Sequence, residues 1–416
     1  MIFRARLDVS WGDLAFGMMA CALPVHRAEA ERRVLAALPE GDEALVCLAV
    51  RSGFDLLLGA LALEECSEVL LSAITVPDMA RIVRAHGLVP VPVDVDPRTL
   101  EPLPAALARA VSDRSRVLVA AHLFGAVCDF GHTRDFARRH GLLFVEDCAQ
   151  SYVPGRFHGS PASDVRMLSF GPIKTDTAIG GAVLFVRDAA LRGRMEEIQR
   201  GHPALRGRDY LRRILKYAAL HALRFRPLFA LFRAWCRLRG RDYDDVLREA
   251  ARTFRYGELL VRLRRRPAPA LLALLARRLE TPNLRVRPRA EAGAALARSL
   301  PVGLARPGSD VQDHTHWIFP VLTEDPTALM THLRAWGFDA TSGTSSLTVV
   351  EEAPERPDVR AAEAEAMMAR ILFLPAYPEI PEVRRRRLAD ALAAWSEAPA
   401  KCTIASGAPA PAARGA

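Results

Sequence analysis

Lysine is what this chain most lacks. Among 57 lysines and arginines, only Lys174, Lys216 and Lys401 are lysine. Wherever a plain positive charge serves, arginine stands. A lysine kept in a polar loop therefore suggests chemistry a guanidinium cannot do, namely losing a proton and attacking a carbonyl. Paired cysteines are absent too. Cys21, Cys47, Cys66, Cys128, Cys148, Cys236 and Cys402 are scattered, with no C-x-x-C and no histidine at zinc spacing. This excludes a disulfide scaffold and points to reduced, mostly buried thiols in a cytoplasmic protein. His314 and His316 form an H-x-H without a further ligand nearby, so no metal site is expected. No uncharged apolar run approaches the ~20 residues of a membrane span, and no basic-then-apolar signal segment opens the chain.

What is present is a chain of 416 residues, half of them hydrophobic and a quarter charged, with a formal charge of +9. That length can bury a large core and form two or three domains. The charge has two readings, an anionic partner or an arginine-rich composition, and no nucleic-acid partner is expected.

An N-terminal segment, 1–40, carries helical spacing over Ala28–Leu38. From 41 to 187 apolar runs alternate with helical patterns. Ala44–Val50 reads as a strand, Arg51-Ser52-Gly53 as a tight turn and Phe54–Leu63 as a helix. Strands over Glu68–Ser72, Val89–Val93, Arg116–Ala121 and Leu142–Val145 then alternate with helices over Asp78–His86, Leu103–Val111 and Phe130–His140, and Ala182–Val186 is a further strand. Such alternation predicts an α/β domain with a mostly parallel central sheet flanked by helices. Ligands bind at the carboxyl ends of such strands; Ser52, Thr75, His122 and Asp147 all follow strands and are expected to converge there. Residues 188–282 read as a basic helical insert, its apolar stripes (Leu211, Ile214, Leu215, Ala218, Leu223; then Leu228, Leu231, Phe232, Trp235, Leu238) backed by arginines. Its two readings are a helical insert packed on the domain or on a second subunit, and a surface making peripheral contact with an anionic membrane. Residues 283–395 read as a smaller C-terminal α+β domain, with strands over His316–Leu322 and Leu347–Val350 and helices over Pro326–Trp336, Ala361–Ile371 and Val383–Trp395. Residues 396–416 read as a disordered tail.

The central stretch carries the chemistry. Asp147 ends an apolar strand, where a carboxylate is costly without a cation. The protonated ring nitrogen of pyridoxal 5'-phosphate (PLP) is such a cation. Lys174 follows in a loop, Gly180-Gly181 allow close approach of the next strand, and the Ser52-Gly53 helix start suits a phosphate. Taken singly, Asp147 is also a helix cap and Lys174 an exposed loop amine.

The segment resembles the DegT/DnrJ/EryC1/StrS family of PLP-dependent sugar aminotransferases of fold type I. The resemblance rests on Val145-Glu146-Asp147-Cys148-Ala149-Gln150, Ser169-Phe170, Lys174 and Ile179-Gly180-Gly181-Ala182, and more loosely on Ser52-Gly53, Pro92–Asp96, His122–Gly125, Asn283-Leu284-Arg285 and Leu374–Pro378. It implies that Lys174 forms a Schiff base with the cofactor and moves protons. It implies too that Asp147 pairs with the pyridine nitrogen, that Gln150 lies by the ring, and that Ser169, Ser52 and Gly53 hold the phosphate. Asn283 would reach the cofactor of a neighbouring subunit, implying a homodimer with shared sites, and glutamate would be the usual amino donor to a keto sugar nucleotide or related acceptor. Two places depart from the family. Val76 and Pro77 follow Thr75 where an aromatic residue is usual, and Thr341–Ser345 replaces a His-Tyr segment that touches substrate. Thr75, His122, Ser342 and Thr344 are therefore the candidate substrate residues. Two other readings stay open, a PLP-dependent dehydratase, against which Lys174 argues because those members carry histidine there, and a non-catalytic module acting through the basic insert.

Overall fold

The computed structural model describes residues 2, 7–243, 245–246, 258–342 and 347–397. Its centre is a seven-stranded sheet made of β1 (Ala44–Cys47), β2 (Glu68–Ser72), β4 (Val89–Val93), β5 (Ser115–Ala121), β6 (Leu143–Asp147), β7 (Val165–Ser169) and β8 (Ala182–Val186), in the order β1-β8-β7-β6-β5-β2-β4. Only β8 runs antiparallel to its neighbours. The strands are buried almost throughout, as expected for a sheet covered on both faces. Pro90 and Pro92 lie in β4, which pairs with β2 alone and so has an edge where no ladder N–H is needed.

The covering helices are α1 (Trp11–Ala22), α2 (Arg27–Ala36), α3 (Val50–Leu61), α4 (Pro77–Ala85), α5 (Pro104–Ala110), α6 (Gly131–Arg139), α7 (Ala189–Gly201), α8 (Gly207–Ala222), α9 (Arg226–Leu238), α10 (Leu259–Leu263) and α11 (Pro269–Glu280). Two boundaries differ from the sequence expectation. β1 ends at Cys47 and α3 already begins at Val50, so Ser52 and Gly53 sit in its first turn instead of before it. The extended Ala49 (φ −161°, ψ 164°) makes the turn within three residues. β7 lay hidden because Arg166 is its second residue. That side chain is buried, paired with Glu40 and Glu43, and stacked 4.4 Å over Phe185.

α3 presses on β8 through Gly53, where an added Cβ would stand 2.3 Å from Leu184 Cδ1. Gly53→Ala is expected to destabilise the protein by about 1–3 kcal/mol through overpacking. A denaturant melt with an unchanged midpoint would show that Leu184 can move aside.

The segment read as an insert is only partly one. α7 packs on α3, and α11 packs on α1 and α2 with every residue from Ala270 to Ala276 buried. α8 packs on α1 and α11 with Tyr210 and Ile214 fully buried, and α9 has a small cluster of its own around Phe229, Cys236 and Tyr243. The C-terminal part builds a two-stranded antiparallel sheet from β9 (Phe319–Leu322) and β11 (Ile371–Leu374), packed with α12 (Val286–Arg298), α13 (Pro326–Ala335) and α15 (Glu382–Glu397) around Phe319, Leu329, Leu333, Phe338, Leu372 and Leu388. β9 starts three residues later than expected. The helix expected over Ala361–Ile371 is α14 (Ala362–Ala369), and Ile371 opens β11. Leu322, Val359, Met367 and Phe373 join the core on the large sheet beside Phe124 and Phe144, which ties the two parts together. The expected tail lies outside the described residues from 398 onward. Among the described residues, no helix is long and apolar enough to cross a membrane.

Candidate active site

The sheet register collects the site. Cys47, Ala182 and Ser169 stand abreast across β1, β8 and β7, and Ala121, Asp147 and Met167 across β5, β6 and β7. The start of α3, Ser169, the loop carrying Lys174 and Asp147 therefore lie at one edge, where parallel strands leave their carboxyl ends.

Lys174 sits in a loop fixed by its own backbone. Lys174 N–H donates to Gly171 O (3.0 Å), and the N–H groups of Ala178 and Gly180 both donate to Phe170 O (3.1 Å each). Thr177 Oγ1 donates to Gly171 O and accepts from Ile179 N–H, while Tyr210 Oη donates to Ala178 O. Asp176, Ile179, Gly180 and Gly181 all have positive φ, and Leu271 of α11 closes on both glycines. Burial, helped by the charge of Arg51, pulls the Lys174 amine from its ordinary value near 10.5 down to about 8, against the opposing attraction of Asp147. The amine lies 3.9 Å from the centroid of Trp317, whose indole Nε1 donates to Ile173 O (2.7 Å). Trp317 is delivered by a clamp. Thr315 N–H donates to Gly125 O (2.7 Å), and Gly125, at φ 97°, has no room for a Cβ beside Thr315 and Trp317. Sequence reasoning missed Trp317, and no local pattern links it to a lysine 143 positions earlier.

At the other end, α3 has no capping side chain; Gly53 N–H donates to Ala49 O (3.0 Å), and the N–H groups of Val50, Arg51 and Ser52 precede that first intrahelical bond. Ser52, only 3% exposed, has a buried hydroxyl with no hydrogen-bond partner. A buried, unsatisfied hydroxyl at the positive end of a helix is a cradle for an anion. Ser169 lies partly buried at the end of β7.

Asp147 is partly buried and accepts one hydrogen bond, from Ala149 N–H (2.9 Å). Burial pushes its carboxyl above the ordinary range, against the pull of that bond and of Lys174. A carboxylate so placed favours a cation as its neighbour. Gln150 Oε1 accepts from Phe124 N–H (3.0 Å), leaving its NH2 as donor. The residues therefore fit a group with a phosphate at one end, a protonatable ring nitrogen at the other and a carbonyl between.

His122 is placed differently. It is 1% exposed, and its Nδ1 accepts from Cys128 N–H (3.0 Å). Nε2 consequently carries the proton and donates to Glu146 (2.9 Å). With both nitrogens taken, His122 holds the β5–β6 junction and has no free nitrogen for a substrate. Thr75, in the short strand β3 (Ile74–Thr75), faces Thr348 of β10 (Thr348–Val349), which brings the chain beyond Ser342 back to this turn. Ser342 is exposed; Thr344 lies outside the described residues.

Asn283 is also occupied within its own chain. Its Nδ2 donates to Asp8 Oδ2 and to Asp176 Oδ1, each at 2.6 Å, so both amide hydrogens are used. Arg285 and Arg278 complete this buried cluster, and burial raises the Asp176 carboxyl to about 6. In this structure the Asn283 amide ties the Lys174 loop to the N-terminal segment and is not directed out of the chain.

The fold is the one shared by solved PLP-dependent aminotransferases of fold type I. Residues 31–214 match the DegT/DnrJ/EryC1/StrS aminotransferase family. A curated relative, L-glutamine:2-deoxy-scyllo-inosose aminotransferase of Micromonospora echinospora, is 37% identical over 183 residues, 41% of each chain. The chain thus matches about two fifths of that relative's length. Among solved structures, the aminotransferase TlmJ of Streptoalloteichus hindustanus is similar in fold, with a TM-score of 0.67 at 20% identity over 95% of this chain and 100% of that one. NtdA of Bacillus subtilis, solved with bound cofactor PMP, gives a TM-score of 0.67 at 16% identity over 93% and 82%.

Proposed function

We propose that this protein is a PLP-dependent aminotransferase that passes an amino group from glutamine or glutamate to the keto group of a cyclitol or sugar. The observation that carries the reading is the joint placement of Lys174, with its amine drawn down to about 8, Asp147 at the end of β6 and the unpartnered Ser52 hydroxyl at the start of α3. The named relative uses L-glutamine and an inosose, which supports a cyclitol or sugar ketone as acceptor and glutamine alongside glutamate as donor. A nucleotide-linked keto sugar is the second acceptor class to assay.

When bound, PLP supplies a carbonyl for the amino group and an electron-accepting ring. Ser52 Oγ, the first-turn N–H groups of α3 and Ser169 would hold the phosphate. Asp147 would face the ring nitrogen and keep it protonated, and the Gln150 NH2 would donate to the phenolic oxygen. Lys174 Nζ would attach the cofactor covalently. Once released it could take a proton from substrate carbon and return it, because an amine near 8 is available in both forms around neutral pH. Trp317 holds that amine in place and shields it from water.

The test is to incubate the purified chain with PLP. An absorbance band at about 410–430 nm should appear, and borohydride should fix the cofactor on the peptide containing Lys174. L-glutamine or L-glutamate should discharge the band, and a keto-cyclitol should restore it. A protein that neither gains the band nor fixes the cofactor would end this reading.

A further inference from the structure

The positive charge of this chain is concentrated in one place. Between Arg206 and Arg241, eleven residues are arginine or lysine and one, Asp209, is acidic, a formal +10. With +9 in total, all other residues together carry −1. This segment holds α8, packed on α1, and α9, whose outer face is exposed.

α9 divides its apolar residues between two faces. Its inner face rests Phe229 and Cys236 against Tyr243 in a small cluster of their own. Of the stripe's five residues, Phe232 packs on that cluster and the other four form the outer face. Leu228, Leu231, Trp235 and Leu238 are 44%, 67%, 45% and 87% exposed. At 100° per residue these four fall within roughly 80° of arc. α9 contains no acidic residue; Arg239, just past its end, lies beside one edge of the stripe with its guanidinium 5.2 Å from the Trp235 ring, and Arg237 lies on the face away from the stripe. Phe225, 46% exposed, precedes the helix beside Arg224. Trp11, 41% exposed, stands edge-on to His221 at the end of α8. Exposed apolar side chains scattered singly are ordinary; a one-sided stripe on a helix that is basic and free of acids is not.

We infer that α9 is an interfacial helix that seats the protein on an anionic lipid bilayer, with Leu228, Leu231, Trp235 and Leu238 in the acyl boundary and the arginines of the segment drawn to the headgroups. Charge and polarity together select this occupant. A second copy docked face to face would set one +10 segment against another. A nucleic acid would satisfy the arginines but leave four large apolar side chains against phosphate and water. A bilayer containing acidic lipid meets both demands.

Co-sedimentation of the full chain with sucrose-loaded vesicles tests this. The protein should pellet with phosphatidylcholine vesicles containing one-third phosphatidylglycerol and stay in solution with phosphatidylcholine alone. Binding should fall about tenfold or more between 0.1 and 0.5 M NaCl as the headgroup attraction is screened. L231D/L238D and, separately, R237E/R239E should each abolish pelleting while keeping the wild-type circular dichroism spectrum and the capacity to fix PLP. Three results would each overturn the inference: no pelleting with the anionic vesicles, pelleting retained by L231D/L238D, or self-association of the wild type that L231D/L238D abolishes, which would seat a second copy on this face.

Discussion

Lys174→Ala is expected to lower kcat for amino transfer by at least about 10⁴-fold, since in the proposed function one amine provides both the covalent attachment and the proton transfer. The same variant should bind PLP without the 410–430 nm band of about that position described for an attached cofactor, and borohydride should leave no label on the peptide. Stability should not suffer at pH 7. The folded protein pulls this amine down to about 8 from 10.5, so below that pH the native state disfavours the charge that the unfolded chain carries freely. Deleting the group removes that penalty. Lys174→Arg should be as inactive as Lys174→Ala, because a guanidinium keeps its proton. A variant of either kind retaining more than about one hundredth of the wild-type rate would contradict a role that general acid–base catalysis alone values at 10²–10⁴-fold.

Asp147→Asn should separate two effects that a merely structural residue would move together. The substitution keeps the shape and the oxygen that accepts from Ala149 N–H but removes the charge. Transfer should slow by about 10²–10³-fold, as for loss of one preorganised electrostatic partner. Cofactor capture should respond in the opposite sense near neutrality. Asp147 attracts the protonated amine and so holds Lys174 up. Without it the amine deprotonates at lower pH, and the neutral form that attacks the carbonyl is more abundant at pH 7. In the wild type, the rate of capture should rise with pH and level off above about 8; in Asp147→Asn that rise should come at lower pH. Stopped-flow capture measured across pH, set beside steady-state transfer, gives both numbers. A capture profile that stays in place would mean that Asp147 does not act on Lys174.

The alternating α/β core was legible in sequence because both of its periods are local. A buried parallel strand such as Arg116–Ala121 announces itself within seven residues. The site was legible where its residues cluster, from Val145 to Gln150 and around Lys174. It was not legible where partners are remote. β7 was missed because Arg166, its second residue, looks exposed until Glu40, 126 positions away, is beside it. Trp317 and the Asp8–Asn283–Asp176 bridge come from segments that no spacing rule connects with residue 174. His122 shows the converse. Its place after a strand suggested a ligand, yet Glu146 and the Cys128 N–H use both of its nitrogens.

The sequence by itself determined the strand–helix alternation, the retained lysine and the aspartate that ends a buried strand, since each depends on residue type and short-range order. Tertiary structure decided which face of α9 meets solvent, what holds the Lys174 amine and where the Asn283 amide is engaged. The physical reason is the same throughout. A hydrophobic period records that a helix has two faces but not which one is covered, and a polar side chain takes its partner from whichever distant segment the fold brings within 3 Å.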